Sequence, residues 1–132
     1  MPLVLIKDGV IEAVQAHLAA AHGGRSGLRE KSMLRLLYAR AQMLSESAST
    51  DVAALAACYG YGLAHDHLFH SHNSGAALIV IELFLTLNGF RLKADDMACS
   101  LGLSVAGQGE LGAEAFADWI RSHIVEIARN AA

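Results

Sequence analysis

Between two apolar helical segments the chain places His67-Leu68-Phe69-His70-Ser71-His72-Asn73-Ser74-Gly75-Ala76. A helix entrance leaves its first backbone N–H groups without intrahelical acceptors, and the helix dipole turns that entrance toward anions. The stretch therefore has the placement of a phosphate-binding loop, without the cationic side chains that would complete it. His65, His67, His70 and His72, with Asp66 among them, also supply the residue types of a transition-metal site, although they straddle a helix end and bring no preset geometry. Simpler roles exist for three of these residues. His67 can cap carbonyls at a helix C-terminus, Phe69 can fill the core, and Asn73 can N-cap the following helix.

The elements that must hold this loop read as helices. From Asp8, a possible N-cap, to about Ala21, the residues Val10, Ile11, Val14 and Leu18 recur at helical spacing, and Gly23-Gly24 stops the run. The glycine-rich stretch His22 to Arg29 reads as a shaped loop that places Leu28 and Arg29, and Arg29-Glu30 reads as a solvated helix start. A second helix, about Glu30 to Met43, buries Met33, Leu34, Leu37 and Ala41. Ser45 to Thr50 breaks the pattern and reads equally as a mobile flap or a connector. Thr50 or Asp51 caps a third helix running to about His67 with Val52, Leu55, Ala56, Tyr59 and Leu63 inward, and Gly60 and Gly62 imply close packing there. Ala76 to Leu87 is ambiguous by periodicity, but its length favours a buried helix ending at Asn88-Gly89. A short fifth helix is expected at Asp95 to about Leu103. A sixth follows the Gly107-Gln108-Gly109 turn and runs from about Gly112 to Arg129, with Phe116, Trp119, Ile120, Ile124 and Ile127 as its stripe. The expectation is one all-α domain over residues 1–132, with no convincing sheet.

Composition narrows the function. A 132-residue chain can bury a core without staples, and 54% hydrophobic residues imply a fully apolar central element or a face covered by a partner. The formal net charge of −3, with Lys and Arg scattered, argues against nucleic acid. The apolar run Ala76 to Leu87 is too short to span a bilayer and carries Glu82, so no membrane span is expected. Cys58 and Cys99 have no paired spacing and no signal peptide is visible, which reads as buried, reduced thiols in a cytoplasm.

The loop resembles that of the Fic/Doc (Fido) family, in its Doc (death-on-curing) branch, whose motif runs His-x-Phe-x, then Asp or Ala, Gly or Ala, Asn, Lys and Arg between two helices. The likeness covers about residues 18 to 125: Gly23-Gly24, Gly27-Leu28-Arg29, the helix before His67, Ala76-Ala77-Leu78 and Leu87-Asn88-Gly89-Phe90 are similar in order and spacing. The resemblance implies a compact six-helix bundle. It also implies a transferase that moves a phosphoryl or nucleotidyl group from ATP, with Mg²⁺, to a protein hydroxyl. In the Doc branch the target is a translation factor, growth is arrested, and a Phd-type antitoxin folds its C-terminal segment against the toxin.

On that resemblance His67 matches the catalytic base, Phe69 the loop anchor and Asn73 the motif Asn. Ser71 stands where the metal-binding carboxylate would be and His72 where a small residue admits phosphate. Ser74 and Gly75 stand where the Lys and Arg would be, and Leu68 replaces a proline. Each charge-assisted bond to a buried anion is worth about 1.5–3 kcal/mol, so two missing cations cost about 3–6 kcal/mol, roughly 10²–10⁴ in binding or rate. Serine alone is also a poor Mg²⁺ ligand. An imidazole at His72 is expected to fill phosphate volume and to resist a positive φ. Two functions follow: a Doc-like toxin enzyme acting through His67, or a catalytically inactive Doc-type protein that retains its antitoxin-binding surface. The second is favoured because the departures cluster inside residues 67–75, and a metal-binding protein built on the histidine cluster ranks below both.

Overall fold

Asp51 starts the central helix: its carboxylate accepts the amide of Ala54 at 2.9 Å, satisfying one of the donors a helix start leaves open. The computed structural model describes residues 3–29, 31–93 and 112–127. Among these lie five helices, α1 (Val10–His22), α2 (Lys31–Ser45), α3 (Val52–Asp66), α4 (Asn73–Leu87) and α5 (Ala113–His123), and two strands, β1 (Phe90–Leu92) and β2 (Ile124–Glu126). The helix expected at Asp95 to Leu103 and the Gly107-Gln108-Gly109 turn fall outside the described residues.

Helix α3 packs against α2, α4 and α5, and its small residues are the reason it can. A Cβ on Gly60 would lie 2.7 Å from Ile81 Cγ1 and 3.2 Å from Phe116 Cε2, and one on Gly62 would lie 2.8 Å from Leu37 Cδ1. The expected inward face of α3, Val52, Leu55, Ala56, Tyr59 and Leu63, is buried throughout. Helix α2 buries Leu34, Leu37 and Ala41, and α4 buries Ala76, Ala77, Val80, Ile81, Phe84 and Leu85. No helix among the described residues is long and apolar enough to cross a membrane.

Four expectations change. Helix α1 begins after Gly9, at φ +89°, not on an Asp8 cap, and it buries Ile11, Gln15 and Ala19 while Val10, Val14 and Leu18 stay half-buried. The last helix stops at His123. The β-branched Ile124 and Val125 favour extended backbone and pair antiparallel with Leu92 and Arg91, so a small sheet exists and Ile124 and Ile127 leave the helical stripe. Ser45 ends α2, and the residues after it form tight turns, Ser47 N to Leu44 O at 3.1 Å and Thr50 N to Ser47 O at 3.3 Å, with no strand edge to offer a target. Cys58 is half-buried, and burial pushes its thiol up. Cys99 lies outside the described residues.

At the far end of the bundle, Asn88 closes α4 and ties down the N-terminal segment. Its Nδ2 donates to Phe84 O at 2.8 Å and Val4 O at 2.9 Å, and its Oδ1 accepts from Val4 N at 2.7 Å. Gly89, at φ +86°, then turns the chain into β1.

Candidate functional site

The loop between α3 and α4 is built against the glycine-rich loop that follows α1. Leu28 and Phe69 form an antiparallel bridge, with Arg29 N donating to Leu68 O at 2.8 Å and His70 N to Gly27 O at 3.3 Å. Phe69 is 2% exposed and Leu68 likewise, so both side chains anchor the loop in the core, as expected of Phe69. The glycines at 24 and 27, at φ +102° and +107°, give this second loop the shape that lets it lie alongside.

Asn73 is not an N-cap. It is the first residue of α4, and its side chain reaches back to Phe69, Oδ1 accepting from Phe69 N at 2.9 Å and Nδ2 donating to Phe69 O at 3.0 Å. The N-cap is His72, whose ring Nε2 donates to Gly23 O at 2.5 Å. His72 sits at φ +59°, so its imidazole does not exclude the left-handed backbone, and its ring lies against Gly23 and Gly24. His67 closes α3 at φ +49°. These two are the non-glycine residues with positive φ among the described residues, and such backbone costs about 1–2 kcal/mol each.

Gln15 is the residue that sequence reasoning missed. It is 1% exposed, the one buried polar side chain of the described core, and it spends its amide on both loops. Nε2 donates to Arg25 O at 3.3 Å and Ser71 O at 3.2 Å, while Oε1 accepts from Gly27 N at 3.2 Å. Ser71 adds its own bond, Oγ donating to Arg25 O at 2.7 Å. A signal for Gln15 was present: it interrupts the i, i+4, i+8 series Ile11, Gln15, Ala19 on the buried face of α1.

Arg29 is exposed just before α2, as expected of a solvated position, and it has a further role: its Nη1 donates to His67 O at 3.2 Å, and it lines a pocket of about 280 Å³ with Met33, Asp66, His67 and Leu68. Glu30 lies outside the described residues. Asp66 in that pocket is bonded to His65 Nδ1 at 3.0 Å, and His65 stacks on Tyr61 with ring centroids 4.7 Å apart. His72 lies beside His22 instead, at 6.4 Å. Among the described residues no three of His, Cys, Asp and Glu stand where they could share one ion.

The structure thus brings His67, Phe69, Ser71, His72 and Asn73 into one loop. Ser74 and Gly75 follow on the exposed first turn of α4. A Cβ on Gly75 would meet Leu18 Cδ1 at 3.4 Å, ordinary contact that leaves room for a side chain. The chain matches no family model and no curated protein. What the arrangement offers chemically is a small pocket lined by His67 and Arg29, the guanidinium bonded to the His67 carbonyl, next to a helix entrance whose neighbouring side chains serve main-chain carbonyls.

Proposed function

We propose that this chain is a Doc-type domain of the Fic/Doc family whose ancestral chemistry, transfer of a phosphoryl or nucleotidyl group from ATP to a protein hydroxyl through His67, is weak or lost. Its remaining role is to bind a Phd-type antitoxin or similar partner in the cytoplasm. The observation that carries the loss of chemistry is the commitment of Ser71 and His72: the hydroxyl serves Arg25 O and the ring serves Gly23 O. The family places a metal-binding carboxylate and a small residue at these two positions.

The residues present do not fit Mg²⁺ and ATP. Ser71 is neutral and already donates its proton, Ser74 and Gly75 bring no positive charge, and Asp66, the nearest carboxylate in sequence, bonds to His65. What supports the fold side of the reading is the order of elements: a helix closing on His67, a loop anchored by buried Phe69, Asn73 opening the next helix, and a glycine-rich loop paired alongside. The motif-derived protein substrate, a translation factor, belongs to the ancestral activity.

Titration calorimetry with Mg²⁺ and ATP tests the loss: no heat of binding is expected at nucleotide concentrations up to about 1 mM, and micromolar affinity would overturn it. Restoring the motif with Ser71→Asp, His72→Gly, Ser74→Lys and Gly75→Arg should make the protein toxic on induction. Unchanged growth with a folded, restored protein counts against the family assignment.

A further inference from the structure

A cleft of about 490 Å³ lies between the start of α1 and the first turns of α2, away from His67. Asp8, in the turn before α1, and Glu12, in the first turn of that helix, stand on one side of the cleft. Lys31 and Arg35 stand on its α2 side, one helical turn apart. None of these four takes part in an ion pair among the described residues. Asp8, Lys31 and Arg35 are exposed and Glu12 is half-buried, so the two signs face one another across an open volume, and a ligand carrying both signs can pair with each. Leu34, 4% exposed, provides an apolar floor.

Tyr38 fixes one wall. Its hydroxyl lies 3.2 Å from Glu12 Oε1 and 3.4 Å from Lys7 O, which restrains the Glu12 carboxylate at the edge of the cleft. Burial, with the Glu12 charge beside it, pushes the phenol up to about 12, so it acts as a donor throughout the working range. The volume falls within the range of small-molecule sites, about 300–1,000 Å³, and suits a molecule of one to three residues.

We propose that this cleft binds a small zwitterion, a free amino acid or a short peptide with both termini unblocked, its ammonium held by Asp8 and Glu12 and its carboxylate by Lys31 and Arg35. An apolar side chain of the ligand rests on Leu34. The site does not include His67, although Leu28, which lines the cleft, also bridges Phe69 in the His67 loop, and it stands or falls independently of the nucleotide reading.

The test is titration calorimetry of the full chain with leucine and trileucine, each compared with its N-acetyl and C-terminal amide forms. One of the unblocked probes should bind, which of them identifying the source as amino acid or peptide, and blocking either end should weaken binding by at least about tenfold. Glu12→Gln should remove the penalty for acetylation, and Lys31→Gln with Arg35→Gln should remove the penalty for amidation. No binding of either unblocked probe at about 5 mM, or equal affinity for blocked and unblocked forms, overturns the proposal. The blocked-probe comparison needs no variant, so it decides the matter even where a substitution fails to fold.

Discussion

Asn73 holds both main-chain polar groups of Phe69, accepting from its N–H at 2.9 Å and donating to its C=O at 3.0 Å. One side chain thereby fixes the turn between a buried aromatic and the helix that follows it. Asn73→Ala should cost about 1–3 kcal/mol, two bonds of about 0.5–1.5 kcal/mol each, read as a lower midpoint in urea at unchanged slope. Asn73→Asp keeps the acceptor and should cost less. Equal losses for the two would show that the bond to Phe69 N carries none of the effect.

Gln15 joins α1 to both loops, and a leucine of similar size would leave Gly27 N and the Ser71 carbonyl without this partner. Gln15→Leu should destabilise by about 1–3 kcal/mol, two lost bonds of about 0.5–1.5 kcal/mol each at groups that water can partly reach. The amide of Gly27 should also exchange with solvent faster while α3 amides change only with global stability. Protection at Gly27 equal to wild type would remove Gln15 from the account of the loop.

At His72 two effects of similar size oppose each other. Glycine would relieve a φ of +59°, worth about 1–2 kcal/mol, and lose the ring bond to Gly23 O, worth about 0.5–1.5 kcal/mol. His72→Gly should therefore leave stability unchanged or raise it by up to about 1 kcal/mol in thermal unfolding. A drop beyond about 1 kcal/mol would mean that the imidazole holds the two loops together more strongly than its single bond implies.

Asp51 caps α3 and receives Arg121 through two bonds, Nε to Oδ2 at 2.7 Å and Nη2 to Oδ1 at 3.0 Å. The Arg121 hydrogen bond, ahead of burial acting the other way, holds its carboxyl below the usual range. A carboxyl lowered in the folded state stabilises the fold above its unfolded value, and that contribution fades as pH falls through the folded value. Asp51→Asn should thus lower stability at about pH 6 by more than it does at about pH 3. An equal difference at both pH values would show that the charge on Asp51 adds nothing to its cap.

Gly60 lies under Ile81 and Phe116, where a methyl group has no room without movement of those side chains. Gly60→Ala should destabilise by about 1–3 kcal/mol despite the gain of about 1 kcal/mol that alanine brings to a helix interior. A stabilised variant would indicate that α3 and α4 part easily.

The apolar stripes of α2 and α3 were legible because Leu34, Leu37, Ala41, Val52, Leu55, Ala56, Tyr59 and Leu63 repeat at helical spacing and nothing in the tertiary structure contests them. The end of α5 was not, because Ile124 and Ile127 continue a helical repeat in sequence while Phe90–Leu92, far away in the chain, supplies the strand partner that makes Ile124 extended. Gly60 and Gly62 announced close packing but not its partners. In the loop, Phe69 read correctly as an anchor from its type alone. Arg29 and Gln15 did not reveal their roles, since each acts on main-chain atoms of a segment remote in sequence, while Asn73 turns back on Phe69, four residues earlier, instead of capping its own helix. Local pattern locates elements; several of the bonds that shape this loop join residues more than forty positions apart, Ser71 with Arg25, His72 with Gly23 and Gln15 with Ser71 among them.

Because His72 already follows a main-chain path suited to glycine, its ring is not what sets the course of the chain there. Replacing it with glycine would ask for the removal of a ring and no rerouting of the chain. Residue 72 is therefore the position where the entrance of α4 can be opened with the least rearrangement.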